Sequence, residues 1–488
     1  MIYLLRRIID NLDGRLFHPL RRLLTHINLF LFAGWTTSFL FVASPSKKGP
    51  LIMKVLLTFL ISFVISCVPV LGQNILITGS VTDAETNDPL PFATVGINNS
   101  AFGTVSNGDG FFELSLPEKY QQSSLKCSYL GYKSTVVPPN KLGKSMTIRL
   151  ERSTIELAGV IVRPLAPEDY IKRAVKKFPE NYTTDPFSST AYYREKFTEN
   201  GNFLGMSEGY FKSYSPNYQD TVKNQYQLLL HRKVDDISEV AFLKNKRDKK
   251  ERKEAKKANK TAEKGKDIEA DTLKNDIDAG ILTANFGGPE EVLNGDVVRN
   301  LDDFLDSAQF KKYSYQFEQD FDDDDKKIMV ISFKSKGTYE HVKQKGIIYI
   351  DQRSEAIIAI DFTGEVIIPI LVQPILFALG FSLNDMYITK KLRYQQIDKK
   401  WFPNTIQWDF TAELKKRYLF KSNETSVFAG EQIYNIDQII LAGPEEIPAT
   451  KRFDGSKDIE EQVHQVTGLD WSDVNTLKIE DLKKQKTL

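Results

Sequence analysis

Apolar and polar positions alternate with period two through most of this chain. Ile75 to Val81 opens the pattern as a short strand, followed by a polar turn from Asp83 to Asp88. Phe112, Leu114 and Leu116 alternate with Glu113 and Ser115, and Leu125, Cys127 and Tyr129 repeat the pattern. Met146, Ile148 and Leu150 follow. Such alternation is the signature of half-buried strands. Asn107-Gly108-Asp109-Gly110 lies between two of these runs, and its glycines can take positive φ in a turn. Several short strands separated by turn signals predict an all-β sandwich.

Beyond this region the period changes once. Pro167, Glu168 and Asp169 suit a helix start, and Ile171, Ala174, Val175 and Phe178 fall at i, i+3, i+4 and i+7. The spacing predicts a helix ended by Pro179. Period two then returns. Tyr192 to Phe197, Met206 to Tyr214, and Met329, Ile331 and Phe333 read as strands. Ile348 and Ile350 face Ile358, Ile360 and Phe362 across a turn at Gln352 to Glu355. Leu392 and Tyr394 face Ile406, Trp408 and Phe410 across a turn at Asp398 to Lys400. These hairpins predict a larger β-rich domain, a curved sheet or half-barrel with a few helices. The fold class is therefore mainly β, with an N-terminal seven-stranded β-sandwich at 73–163 and the larger domain at 164–445. A polar C-terminal tail occupies 446–488.

Two families are resembled. Gly79-Ser80-Val81-Thr82-Asp83, Pro89-Leu90-Pro91-Phe92-Ala93-Thr94-Val95, Gly103 to Phe112 and Ser128-Tyr129-Leu130-Gly131-Tyr132 occur in the order of the carboxypeptidase-regulatory-like domain. The resemblance spans about 75–163 and implies a transthyretin-like sandwich without peptidase chemistry. Such modules often stand at the start of cell-envelope proteins. More weakly, Gly346, Tyr349, Asp351, Ile357, Ile360, Tyr394, Trp401, Phe402 and Pro403 look like the outer-membrane lipoprotein carrier and sorting proteins. Over about 310–420 that resemblance implies an open barrel with an apolar ligand cavity.

Composition narrows the function. The 488 residues exceed one ordinary domain, and a net charge of +1 gives no electrostatic case for nucleic acid. Met53-Lys54 followed by Val55 to Ser66 has the layout of a secretory signal peptide over 53–72, cleaved before Gln73. Lipidation of Cys67 is the alternative fate of that segment. Residues 1–52 are read as an upstream artefact rather than a signal anchor. Cleavage leaves Cys127 alone, a small core residue with no disulfide partner.

Candidate chemistry is sparse. His231, His341 and His464 occupy no zinc-ligand spacing, and no nucleophile elbow or phosphate loop occurs. No catalytic residue, cofactor or metal is assigned. Tyr193-Arg194-Glu195 is read as a strand-face ion pair. Lys244 to Lys266 holds twelve Lys or Arg against four Asp or Glu, a solvated basic insert running to about 272. Asp322 to Asp325 reads as a charged hairpin tip. Val366 to Leu383 is apolar but broken by Pro369, Pro374 and Gly380. It is either a buried crossover or a lid over a cavity, with Ile370, Leu371, Leu376, Phe377, Leu379 and Phe381 as the candidate ligand-contacting positions. The expectation is an exported, non-catalytic envelope protein, in the periplasm or at the outer membrane, that binds a lipid or other apolar ligand or an envelope protein partner. The alternatives are a hydrolase with an unrecognised carboxylate site and a soluble accessory of a TonB-dependent uptake system.

Overall fold

The computed structural model describes residues 74–141, 145–153, 163–219, 224–235, 288–301, 303–324, 326–337, 342–367, 381–417, 422–455, 459, 462–463 and 469–477. The expected signal segment, Cys67, the basic insert, His341, His464 and the candidates Ile370, Leu371, Leu376, Phe377 and Leu379 lie outside the described residues.

The first seven strands form a two-sheet sandwich. They are β1 (Ile75–Asp83), β2 (Thr94–Ile97), β3 (Gly103–Val105), β4 (Phe111–Leu116), β5 (Leu125–Ser128), β6 (Thr135–Val137) and β7 (Ser145–Leu150). The sheets run β4-β1-β7 and β3-β2-β5-β6. The alternating residues meet between them: Val81, Phe112, Leu114, Leu125 and Cys127 are fully enclosed. Burial pushes the Cys127 thiol up to about 12, so it is an inert core residue. The Asn107 side chain accepts from the N–H groups of Asp109 and Phe111, at 3.0 and 2.9 Å, and Gly110 completes the turn with φ +77°. Asp83 ties the far end together. The N–H groups of Thr86 and Glu85 hold its carboxyl far below the usual range, and Arg152 and Tyr132 add side-chain bonds.

A third sheet has eleven strands among the described residues: β8 (Phe187–Glu199), β9 (Asn202–Ser215), β10 (Gln225–Asp235), β11 (Tyr313–Phe317), β12 (Phe321–Asp323), β13 (Lys326–Ser335), β14 (Val342–Asp351), β15 (Ile357–Val366), β16 (Phe381–Ile397), β17 (Lys400–Lys416) and β18 (Glu424–Ile440). Its order is β10-β9-β8-β18-β17-β16-β15-β14-β13-β11, with β12 also on β13. Neighbours are antiparallel, and the sheet does not close on itself. Both expected hairpins are present, as β14–β15 and β16–β17.

Both faces of this sheet are covered. One carries α1 (Pro167–Lys176), α2 (Phe178–Asn181), and a crossing segment with α3 (Pro289–Asn294) and α4 (Val297–Asn300). The other carries the sandwich. Val105 and Phe92 pack there with Tyr192 and Ile433, and Asn404 donates to Thr94 at 3.2 Å. The acidic tip also grips the sandwich: Asp324 pairs with Lys126 at 2.7 Å and accepts from the Ser134 N–H at 3.3 Å. Residues 469–477 fill the seam. Asn475 accepts from the Ser115 N–H at 2.9 Å and donates to Gly103 O at 3.2 Å, while Val474 and Leu477 are buried beside Tyr192.

The helix near residue 170 ends earlier than its spacing predicts. α1 stops at Lys176, Phe178 opens α2, and Pro179 lies in the first turn of α2, where its missing N–H costs nothing. Phe178 still reaches the core, stacked on Tyr182 with ring centroids 4.5 Å apart.

Candidate functional site

Strand parity sorts the large sheet into two chemically different surfaces. On the helix-covered face, Tyr193, Tyr434, Ile406, Leu392, Ile360 and Ile348 form one row across six strands, all buried. The next row is Glu195, Gln432, Trp408, Lys390 and Phe362, and the one beyond is Phe197, Gly430, Phe410, Ile388 and Gly364.

The segment from Gly288 to Leu305 crosses this face like a strap. Gly288 lies against Phe453, whose N–H bonds Tyr226 O on β10. α3 rests on β17 and β18. Gly295 O accepts from Lys390 on β16 at 3.2 Å. Phe304 stacks on Phe333 of β13, centroids 3.7 Å apart, and meets Phe362 edge-on at 5.4 Å. Asp296 pins the middle. Its side chain caps α4 through the N–H groups of Val298 and Arg299 and accepts from Tyr218 at 2.6 Å and Tyr394 at 2.5 Å. Burial raises the Asp296 carboxyl above the ordinary range, and these donors oppose the shift.

The strap divides the face into unequal halves. On the α1–α2 side the space is filled by Phe178, Tyr182, Tyr218 and Tyr394, which touch ring to ring. On the other side Phe197, Ile388, Phe410 and Phe428 are only half-buried, although they stand on the same face as the core. Gly430 makes room there: a Cβ on it would collide with the Phe410 ring and come to 3.0 Å from that of Phe197. Lys390 and Trp408 are half-buried at the boundary, directly opposite each other in register. The Lys390 Nζ stands 4.7 Å over the Trp408 ring and 6.0 Å from that of Phe362. The Trp408 indole N–H is buried and has no acceptor.

The Tyr193-Arg194-Glu195 expectation is corrected. Neighbours in a strand point to opposite faces, so Arg194 and Glu195 cannot pair. Tyr193 donates to Glu195 at 2.7 Å on the strap face, and Arg194 pairs with Glu431 at 2.9 Å on the sandwich face. His231 lies 3.0 Å from Ser207 Oγ, a nucleophile-to-base distance. Ser207 sits mid-strand in β9 with β8 and β10 on its two sides, where N–H groups are engaged in ladders rather than poised for an oxyanion. Among the described residues, no group of three or more His, Cys, Asp or Glu gathers as a metal site, and no helix is long and apolar enough to cross a membrane.

Of the six sequence-predicted positions, only Phe381 is described. It opens β16, paired with Lys416 at the end of the sheet away from α1 and α2. Sequence reading placed Trp408 and Phe410 on a hairpin strand but gave them no role. It did not single out Phe197, Ile388, Lys390 or Gly430.

The architecture is thus a regulatory-type β-sandwich mounted on an open antiparallel sheet. Residues 77–162 match the model of the CarboxypepD_reg-like domain. No curated protein matches the sequence. Among solved structures, a DUF1329 family protein from Desulfovibrio piger overlaps 57% of this chain and 93% of its own, at 9% identity and a TM-score of 0.20. Lipovitellin, in a structure concerned with lipid–protein interactions, overlaps 56% of this chain and 27% of its own, at 7% identity and a TM-score of 0.24. A Bacteroides fragilis protein of unknown function, described as membrane-associated, overlaps 75% and 98%, at 10% identity and a TM-score of 0.13. At such scores these overlaps carry no functional argument.

Proposed function

We propose that this chain is a non-catalytic, exported cell-envelope protein that binds an apolar ligand on the strap face of its open sheet. The observation behind this reading is the half-buried row of Phe197, Ile388, Phe410 and Phe428 beyond the strap. A sheet face that is core on one side of the strap and carries half-buried apolar residues on the other suits a binding surface. The export-signal layout at 53–72 and the regulatory-type sandwich support the envelope location. The carrier-like residue order over 310–420 agrees with an open sheet that holds an apolar guest.

The test is titration of the purified protein with a fluorescent apolar probe, followed by Phe410→Asp and Ile388→Asp. Both positions are half-buried, so a charge there is hydrated and the fold is retained. Probe binding by the wild type that is lost in both variants, with unchanged melting temperature, supports the reading. A wild type that takes up no probe refutes it.

A further inference from the structure

We infer that the seam between the sandwich and the large sheet is a peptide-binding cleft, filled by the chain's own segment 469–477, which acts as a detachable clasp. The cleft lies on the sandwich face of the sheet and is independent of the apolar-ligand reading of the strap face.

Three observations converge. First, the clasp contributes more of the apolar seam than the sandwich does. It supplies Leu469, Trp471, Val474 and Leu477, the sandwich supplies Phe92 and Val105, and the sheet supplies the remainder, Tyr192 and Ile433 among them. The Lys126–Asp324 tie elsewhere between sandwich and sheet is more than a third exposed on both sides. Second, the cleft reads side chains. Asn475 Oδ1 accepts from the Ser115 N–H of β4 at 2.9 Å, and its Nδ2 donates to Gly103 O of β3 at 3.2 Å and to Asp437 Oδ2 of β18 at 3.5 Å. One short amide thus joins both sheets of the sandwich to the large sheet. An aspartate there would turn a second carboxyl toward Asp437, and a leucine would leave all three partners unpaired. Ser115 Oγ donates to Ser472 O at 2.8 Å, and the Trp471 ring lies 4.4 Å from the Arg232 guanidinium. Third, the segment stands outside the strand ladders. None of its residues belongs to a strand or helix. Its turn is its own: the Asp470 N–H donates to Asp473 Oδ2 at 3.0 Å, the Ser472 N–H to Asp470 Oδ1 at 2.7 Å and the Asp473 N–H to Asp470 O at 3.1 Å. Such a piece can leave and return without breaking a strand pair, and its internal turn lowers the ordering cost of binding.

The test titrates the full chain into a fluorescein-labelled peptide of residues 469–477 and reads anisotropy. In the wild type the tethered clasp competes at high effective concentration. A full chain with Val474→Ala and Asn475→Ala in its own clasp should therefore bind the natural peptide about tenfold or more tightly than the wild type does. A peptide carrying Asn475→Ala should bind that chain several-fold more weakly, because three hydrogen bonds are lost, and a scrambled peptide should not bind. A variant chain that melts cooperatively yet takes up no peptide overturns the inference, as does one that takes up natural and scrambled peptides alike. If the variant does not fold, hydrogen exchange of the wild type decides. Amides of 469–477 should exchange about tenfold or more faster than those of β8 and β18; exchange only in step with those strands overturns the inference.

Discussion

Asp296 is the point where the strap can be loosened with least disturbance elsewhere. Tyr394→Phe removes the hydroxyl that donates to its carboxylate at 2.5 Å and keeps the ring that packs on Tyr182 and Tyr218. What remains is Tyr218 at 2.6 Å and the two N–H groups of α4 at 3.1 and 3.2 Å. A hydrogen bond to a charged group contributes about 1.5–3 kcal/mol. Removal from a fully buried site belongs in the upper part of that range, because no water replaces the donor. The lost bond holds the strap to β16, so the effect should be local. Hydrogen exchange followed by mass spectrometry reads it directly. Peptides covering 289–301 should exchange roughly ten- to a hundredfold faster, while those of β1 to β7 should not change. Tyr218→Phe should act similarly, and the double variant should depart from additivity because both hydroxyls serve one carboxyl. Tyr315→Phe is the internal comparison. Its hydroxyl donates to the neutral carbonyl of Phe304 at 2.8 Å, so the loss should be about 0.5–1.5 kcal/mol. Unchanged exchange at 289–301 in Tyr394→Phe would refute the claim that Asp296 anchors the strap.

Three further outcomes follow from the same packing. Phe304→Ala should cost about 3–5 kcal/mol in urea unfolding, since the ring is fully enclosed between Phe333, Phe362 and Tyr313; a loss under about 1 kcal/mol would mean the strap is not packed. Asp437 is fully buried, and burial pushes its carboxyl up to about 6 from 3.8, so the unfolded chain ionises first and stability falls as pH rises from about 4 to about 6, by about 3 kcal/mol in all. Asp437→Asn should flatten that slope in unfolding curves taken between pH 4.5 and 6.5, and an unaltered slope would remove Asp437 as its source. Asp324→Ala should change the melting midpoint by no more than about 1 kcal/mol equivalent, because its pair with Lys126 is more than a third exposed on both sides.

The hairpins were legible because their information is local: alternation on both sides of a polar turn fixes β14–β15 and β16–β17 without reference to the rest of the chain. Which face of each strand does what was not legible. Both faces of the large sheet are covered, so apolar residues occur at both parities in β8, where Tyr192 lies under the sandwich and Tyr193 under the strap. The same blindness produced the Arg194–Glu195 misreading. The strap itself has no usable periodicity, since α3 spans six residues and α4 four. The C-terminal stretch reads as polar, yet it hides Val474, Leu477 and the Asn475 hub in the seam. For the candidate site, run length directed attention to Val366 to Leu383. The half-buried apolar row on the strap face comes from every second residue of β16 and β17, whose meaning depends on the strap that covers their neighbours.

The pairing of β8 with β18 has a consequence for biogenesis. These strands are more than two hundred residues apart in sequence and adjacent inside the sheet. Until β18 is available, the chain has two separate pieces, a β8–β10 hairpin set and a β11–β17 meander, each with a bare strand edge. Such edges invite pairing with other chains, and contacts this distant form slowly. β18 joins β8, β9 and β10 to the rest of the sheet, so a nascent chain stays vulnerable to misassembly until that strand has emerged. A holdase that shields those edges would therefore act during synthesis rather than afterwards.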